Sequence, residues 1–237
     1  MNIHIYRWGI LPLIISVFTV PVIAEISANV SLSTDYRFRG ISQNDQNIAI
    51  SGGFDYTNDN GFYAGIWASS VDFQIQTEDD ASTEVDLVAG FSSQIANSEW
   101  SYDIGFIHYN YPNASSSLNY NFTEIVLGLS HEYFSVSYSY SSDYFGASGS
   151  SSYLTIGTQF QLTETWATVL SIGSQKVEKN LSWGTPDWLD YKIAITGDLD
   201  AVTTELAVIG TDLTESECFS GLDWCQNTVA LSISKQF

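Results

Sequence analysis

Positive charge is what this sequence lacks most. Seven lysines and arginines stand against 27 aspartates and glutamates, a formal charge of −20. Phosphate contact needs a basic patch, so nucleic acid is excluded as a partner. Charge of either sign is scarce, at 14% of residues, where a soluble domain carries about a quarter. Cysteine occurs twice, Cys218 and Cys225, in the polar stretch "ESECFSGLDWCQN" with no histidine nearby. A metal site there lacks ligands. No internal repeat is present, which argues against a repeat-built secreted fibre. No apolar run beyond residue 24 reaches the ~20 residues a membrane helix needs, and no stretch has helical periodicity. Nothing implies a cofactor or a metal.

What is present begins with an export signal. "MNIHIYRWGILPLIISVFTVPVIA" has Arg7 near its start, an apolar run from Ile10 to Ile23 and a small-residue cleavage site ending at Ala24. The run is too short for an anchor and is broken by Pro12 and Pro21. Residues 1–24 therefore read as a signal peptide and 25–237 as the mature domain. Export to an oxidising compartment makes a Cys218–Cys225 disulfide the simplest reading of the two cysteines.

Beyond residue 24 the chain alternates apolar and polar residues almost everywhere. In "FSVSYSYSSD", Phe134, Val136, Tyr138 and Tyr140 alternate with serines. A strand turns successive side chains to opposite faces, so each such run has one apolar and one polar face. Twelve segments show this pattern, at about 26–39, 47–56, 62–76, 84–95, 99–111, 120–130, 134–143, 152–160, 166–175, 188–197, 203–211 and 227–237. The connections between them alternate long and short. In an up-and-down sheet alternate connections lie at opposite ends, so one end has tight turns and the other long loops. Outer-membrane barrels have this asymmetry, with short periplasmic turns and longer outer loops. A soluble sandwich or jelly roll would carry many Lys and Glu on its polar face. Here that face is mostly Ser, Thr, Gly, Asn and Asp, which suits a confined wet interior. The sequence thus predicts a single all-β, transmembrane, up-and-down antiparallel β-barrel of about twelve strands. Aromatics near the short turns, such as Phe54, Trp100, Phe160, Trp166 and Phe237, suit an interfacial girdle.

Parity then assigns the interior. Expected to line a pore are Asp35, Arg37 and Arg39 on strand 1, Asp55 on strand 2, Asp72 on strand 3, and Glu84 and Asp86 on strand 4. Asp103, Glu124, Asp190, Lys192 and Glu205 follow. Acids outnumber bases, and charges lining a pore set ion preference. Arg37 and Arg39 are the only arginines beyond residue 24, with Phe38 between them expected to face lipid. Two roles are open to them: a constriction with a transverse field, or bridges to Asp35, Asp55 or Asp86 that tie strands together.

"STDYRFRGISQN", followed by "IAISGGFDYTNDNGFYAGIWASSVDF", resembles the opening of the TorF family of outer-membrane porins. "SYDIGFIHYNYPN", "WLDYKIAITGDLDAV" and "VIGTD" resemble it too. The resemblance implies location in the outer membrane of a Gram-negative bacterium and passive diffusion of small hydrophilic solutes. Small zwitterions or cations such as trimethylamine N-oxide are the candidates its name suggests. Phe237, with Ile233, Leu231 and Val229 on its parity, resembles the outer-membrane assembly signal, although Lys235 stands where an apolar residue is usual. The expected partners are outer-membrane lipids and lipopolysaccharide, the barrel-assembly machinery and small solutes. The alternative is a non-conducting surface or adhesion barrel, with a packed interior as the discriminating feature. A third reading, a barrel lipid hydrolase, has only His108 and Asn110 on the outer face to support it, with no serine placed beside them by spacing. No catalytic residue is assigned.

Overall fold

The computed structural model describes residues 25–73 and 81–237. The proposed signal peptide, residues 1–24, lies outside the described residues, as do residues 74–80. Twelve antiparallel strands close into one barrel. They are β1 (Glu25–Ser33), β2 (Ala49–Thr57), β3 (Phe62–Ser70), β4 (Thr83–Gln94), β5 (Ser101–Asn110) and β6 (Phe122–Ser130), followed by β7 (Phe134–Ser141), β8 (Ser151–Gln161), β9 (Trp166–Val177), β10 (Trp188–Leu199), β11 (Val202–Thr211) and β12 (Thr228–Gln236). Each pairs with its sequence neighbours, and β1 pairs with β12 in the register Asn29↔Gln236 to Ser33↔Ser232. Ala28 and Phe237 exchange two backbone hydrogen bonds of 3.2 and 2.9 Å at the end of this seam. Closure leaves no edge strand, as hydrocarbon requires of a spanning sheet.

The barrel is apolar outside, and its interior holds the charged residues among apolar clusters. Ile26, Ile50, Phe54, Ile104, Ile125, Ile193 and Leu206 are each more than half exposed or close to it, and they belong to a much longer roll of exposed apolar side chains. An apolar surface of this extent is far beyond what water tolerates on a soluble monomer. Facing inward, Glu84, Asp86, Asp103 and Glu124 are at most 1% exposed. No helix among the described residues is long and apolar enough to cross a membrane, which says nothing against crossing by strands.

Tight turns at 58–61, 95–100, 131–133, 162–165 and 200–201 lie at one end of the barrel. Segments 34–48, 111–121, 142–150, 178–187 and 212–227 lie at the other, together with residues 71–73 and 81–82. The long-loop end is filled. Tyr36, Phe73, Tyr109, Tyr111, Tyr120, Phe122, Phe145, Trp188 and Trp224 form an apolar cluster with both cysteines. Many of these rings meet edge to face, the geometry their quadrupoles favour. The only α-helix among the described residues is the single turn α1 (Asn180–Trp183), and its Trp183 packs on this cluster.

Two expected strand boundaries are corrected. The first strand does not run to residue 39: β1 ends at Ser33, and the chain then folds into the barrel. Arg37–Phe38 pairs there with Ile41–Ser42 in a two-residue ladder. Arg39 and Gly40, between the paired residues, both have positive φ, 50° and 83°. That sign pattern suits a tight hairpin turn, whose twist matches its strands. A side chain at Gly40 would collide with Thr211, Asp190 and the Gly210 carbonyl. Asp35, Arg37 and Arg39 are therefore inside the barrel but not on its wall. Phe38 does not face lipid; it packs on the interior cluster, 5.7 Å from the Tyr109 ring. The third strand likewise ends early, at Ser70, so Asp72 is not a wall residue. It lies in the loop, where its backbone N–H donates to the Gln43 carbonyl at 2.8 Å.

Candidate functional site

The inward hairpin of residues 34–48 carries both arginines, and each is seated in its own set of partners. Arg37 is buried. Its Nε donates to Asp35 Oδ2 at 2.6 Å, and its Nη1 donates to the carbonyls of Gly40 at 2.8 Å and Gln226 at 2.6 Å. Asp35 also accepts the Ser42 hydroxyl at 2.7 Å. Arg37 therefore ties the hairpin to itself and to the loop preceding β12.

Arg39 stands at the hairpin tip. Nη2 donates to Glu124 Oε2 of β6 at 2.6 Å, and Nη1 to Gln175 Oε1 of β9 at 2.5 Å. The guanidinium carbon lies 4.2 Å from the ring centroid of Tyr153 on β8 and 4.5 Å from that of Phe38. The Arg39 carbonyl accepts Trp188 Nε1–H at 2.9 Å. The Arg39 side chain is only 5% exposed and that of Glu124 1%. This is a charged, planar and aromatic seat for one guanidinium, which a fork of N–H donors matches.

Glycines in the wall make room for it. Tyr153 lies across Gly173, whose missing side chain would fall 2.1 Å from the phenol oxygen. The Tyr153 hydroxyl then reaches Asp190 at 3.1 Å. Tyr63 does the same over Gly90 and Gly105 and donates to Asp103 at 3.1 Å. Tyr111 donates to Glu84 and Tyr109 to Glu124, both at 3.2 Å. Tyrosine hydroxyls thus hold most of the inward carboxylates. Asp86 is different: it is fully buried, and neither of its oxygens has a hydrogen-bond partner. Glu124 Oε1, Asp103 Oδ2 and Asp190 Oδ2 are also unpartnered.

Asp55, Asp190, Lys192 and Glu205 complete the inward-facing set. Asp55 accepts Asn29 Nδ2–H at 3.5 Å, and Lys192 pairs with Glu205 at 2.7 Å. Of the bridges open to the arginines, Arg37–Asp35 forms; Arg39 takes Glu124 instead of Asp55 or Asp86. Below the hairpin, a cavity of about 40 Å³ borders Asn29, Asp55, Tyr63, Trp67, Ile107 and Val126. It has room for a few water molecules. Among the described residues no group of three or more His, Cys, Asp or Glu side chains could hold a metal ion. His108 faces outward and meets Thr123 Oγ1 at 2.9 Å.

The cysteines form the expected disulfide, Cys218–Cys225. Both are buried. Their loop holds the hairpin from outside, because Trp224 Nε1–H donates to Asp45 Oδ1 at 2.8 Å and Gln226 supplies the carbonyl taken by Arg37.

Sequence reasoning missed Gln175, Tyr153 and Trp188. Gln175 is uncharged, so a reading by charge does not single it out. Tyr153, an aromatic on the otherwise small polar face of β8, is the signal that could have found the seat.

A closed barrel with these strands invites comparison with known families. The chain belongs to the family described as "Bacterial protein of unknown function (Gcw_chp)". That family's model matches residues 21–237. No curated protein matches this Gcw_chp chain. Among solved structures it is similar to the KdgM porin, with a TM-score of 0.55 and 11% identity over 91% of this chain and 98% of that one. It is similar to the NanC porin, with a TM-score of 0.54 and 7% identity over 90% and 99%. It is similar to the COG4313 outer membrane channel from Pseudomonas putida F1, with a TM-score of 0.52 and 8% identity over 92% and 97%. At such identities the likeness is one of fold, a porin-like barrel.

Proposed function

We propose that this chain is an outer-membrane porin, exported by cleavage after Ala24, through which small hydrophilic solutes diffuse passively with a preference for cations. The observation that carries the reading is an apolar exterior around an interior where carboxylates outnumber bases. Asp55, Glu84, Asp86, Asp103, Glu124, Asp190 and Glu205 face inward, against Lys192 on the wall and Arg37 and Arg39 on the hairpin. The resemblance to TorF porins agrees with it, and so does the porin-like fold. Trimethylamine N-oxide is one solute of suitable size and polarity. No enzymatic role is proposed. In this state the hairpin and its aromatic cluster occupy the long-loop end, so conduction requires that they yield.

That same packing favours one second reading, a non-conducting surface barrel. Single-channel recording of the refolded protein in a planar bilayer separates the two. The porin reading expects conductance and a cation-selective reversal potential at low salt. Selectivity should fade as the Debye length shrinks from about 30 Å at 0.01 M salt to about 3 Å at 1 M. No conductance, either from the intact protein or after removal of residues 35–46, supports the surface barrel instead.

A further inference from the structure

The Arg39 seat is built like a ligand site. Glu124 and Gln175 fix two edges of the guanidinium, and Tyr153 and Phe38 lie close to its carbon at 4.2 and 4.5 Å. Three of these four partners belong to the wall; only Phe38 travels with the hairpin. Moving the hairpin away would leave a carboxylate, an amide and an aromatic face, all inside the barrel.

A second observation points the same way. Arg39 does not satisfy the seat. Glu124 Oε1 and both Asp86 oxygens are buried without partners. Asp86 lies across from Tyr109, whose hydroxyl donates to Glu124. This wall therefore holds more negative charge than one guanidinium offsets, and buried carboxylates without partners are costly.

Access comes from the cavity below. Ile107 and Val126 border that cavity. Ile107 is the cross-strand partner of Glu124, and Val126 is the next inward residue after Glu124 on β6. The cavity lining is thus one inward position from Glu124.

We infer that Glu124, Gln175 and Tyr153 form a lumenal binding site for guanidinium-bearing solutes, and that Arg39 occupies it as a tethered stand-in. A free guanidinium compound entering from the short-turn end would exchange with Arg39 and release the hairpin. The inference deepens the porin reading by naming a solute class, and it rests on that reading for transport alone. Tethering gives Arg39 a millimolar effective concentration, so the intact protein should bind free guanidinium compounds weakly.

The test is calorimetric titration of the refolded barrel with N-ethylguanidinium, the fragment that Arg39→Ala deletes. Arg39→Ala should bind it saturably, where the intact protein does not at the same concentrations. It should bind about tenfold tighter than ethylammonium, because a planar fork engages Glu124 and Gln175 together while an ammonium is a point charge. Adding Glu124→Gln to Arg39→Ala should abolish this difference. Equal binding of the two cations, or guanidinium preference that survives Glu124→Gln, overturns the site. Should Arg39→Ala fail to refold alone, refolding with each cation serves: recovery of the heat-shifted gel band with N-ethylguanidinium only supports the site, and equal recovery or none with both overturns it. None of these readouts needs conduction, so a failed site and a failed porin reading remain distinct.

Discussion

The long-loop half of the interior and the short-turn half are made by the same twelve strands, yet they treat charge differently. Near the loops, Arg39–Glu124 and Arg37–Asp35 are sealed from water, with side chains at most 5% exposed. At mid-barrel, Lys192–Glu205 keeps 13% and 12% exposure, and toward the turns Ser92, Ser137, Thr196 and Ser234 are half-buried. The difference comes from one inserted hairpin and the aromatic cluster around it. The wall supplies carboxylates throughout; the hairpin brings an arginine to one of them, Glu124, while Asp103 near the turns is buried under Tyr63 and Glu205 keeps partial contact with water.

The largest expected effect tests that contrast directly. Arg37→Ala leaves Asp35 buried without its charge partner and should destabilise the barrel by about 3–5 kcal/mol. Lys192→Met, removing a base of the less deeply buried pair, should cost less, because Glu205 keeps some contact with water. Denaturant unfolding of the two refolded variants in detergent measures both. Equal losses would mean that the halves are not distinct.

Next in size is the disulfide. Replacing Cys218 and Cys225 together by serine opens a short loop, for which chain entropy predicts about 2–3 kcal/mol at most. The loss should be local, because the loop meets the hairpin through Trp224 and Gln226. Hydrogen exchange should quicken at Gln43, Asp72 and their neighbours while strand amides near the turns keep their protection. Uniform acceleration around the barrel would contradict a local clamp.

The smallest effect is a pH response at the rim. Glu178 accepts hydrogen bonds from the Ser150 backbone N–H and hydroxyl, both at 2.9 Å. These bonds, backbone first, lower its pKa below the ordinary glutamate value, and the nearby Lys179 adds to the shift. A lowered folded pKa means that the contribution is complete above the unfolded value, about 4.3, and is lost as pH falls through the folded one. Protection of the Ser150 amide, relative to its intrinsic exchange rate at each pH, should therefore fall below about pH 4, and Glu178→Gln should remove that dependence.

The contrast between the halves also marks where sequence reasoning reaches its limit. Strand number, alternating loop lengths and the inward placement of Glu84, Asp86, Asp103, Glu124, Asp190, Lys192 and Glu205 follow from one rule, that lipid accepts apolar side chains and closure pairs every strand. The hairpin escapes that rule. Tyr36, Phe38 and Ile41 alternate with Asp35, Arg37 and Ser42 just as wall residues do, because an inserted hairpin also has an apolar and a polar side. Period two identifies extended chain and does not say whether it meets lipid or fills the lumen. The local clue was a turn residue: Gly40 after Arg39, flanked by Asp35 and Asn44, whose side chains bond the hairpin's own groups.

The β1–β12 seam has a consequence for the order of events in assembly. Asn29 pairs with Gln236, which joins two parts of the chain as distant as any in the sheet. Such contacts form late, since the entropy of closing so large a loop must be met before the pairing stabilises anything. The hairpin follows directly on β1, and Arg37 binds the Gln226 carbonyl just ahead of β12. Its final seating and the closing of the ring must therefore coincide. A folding intermediate should be an open, curled sheet of hairpins with Glu124 and Asp86 still wet, and the ring would dehydrate them in one last step.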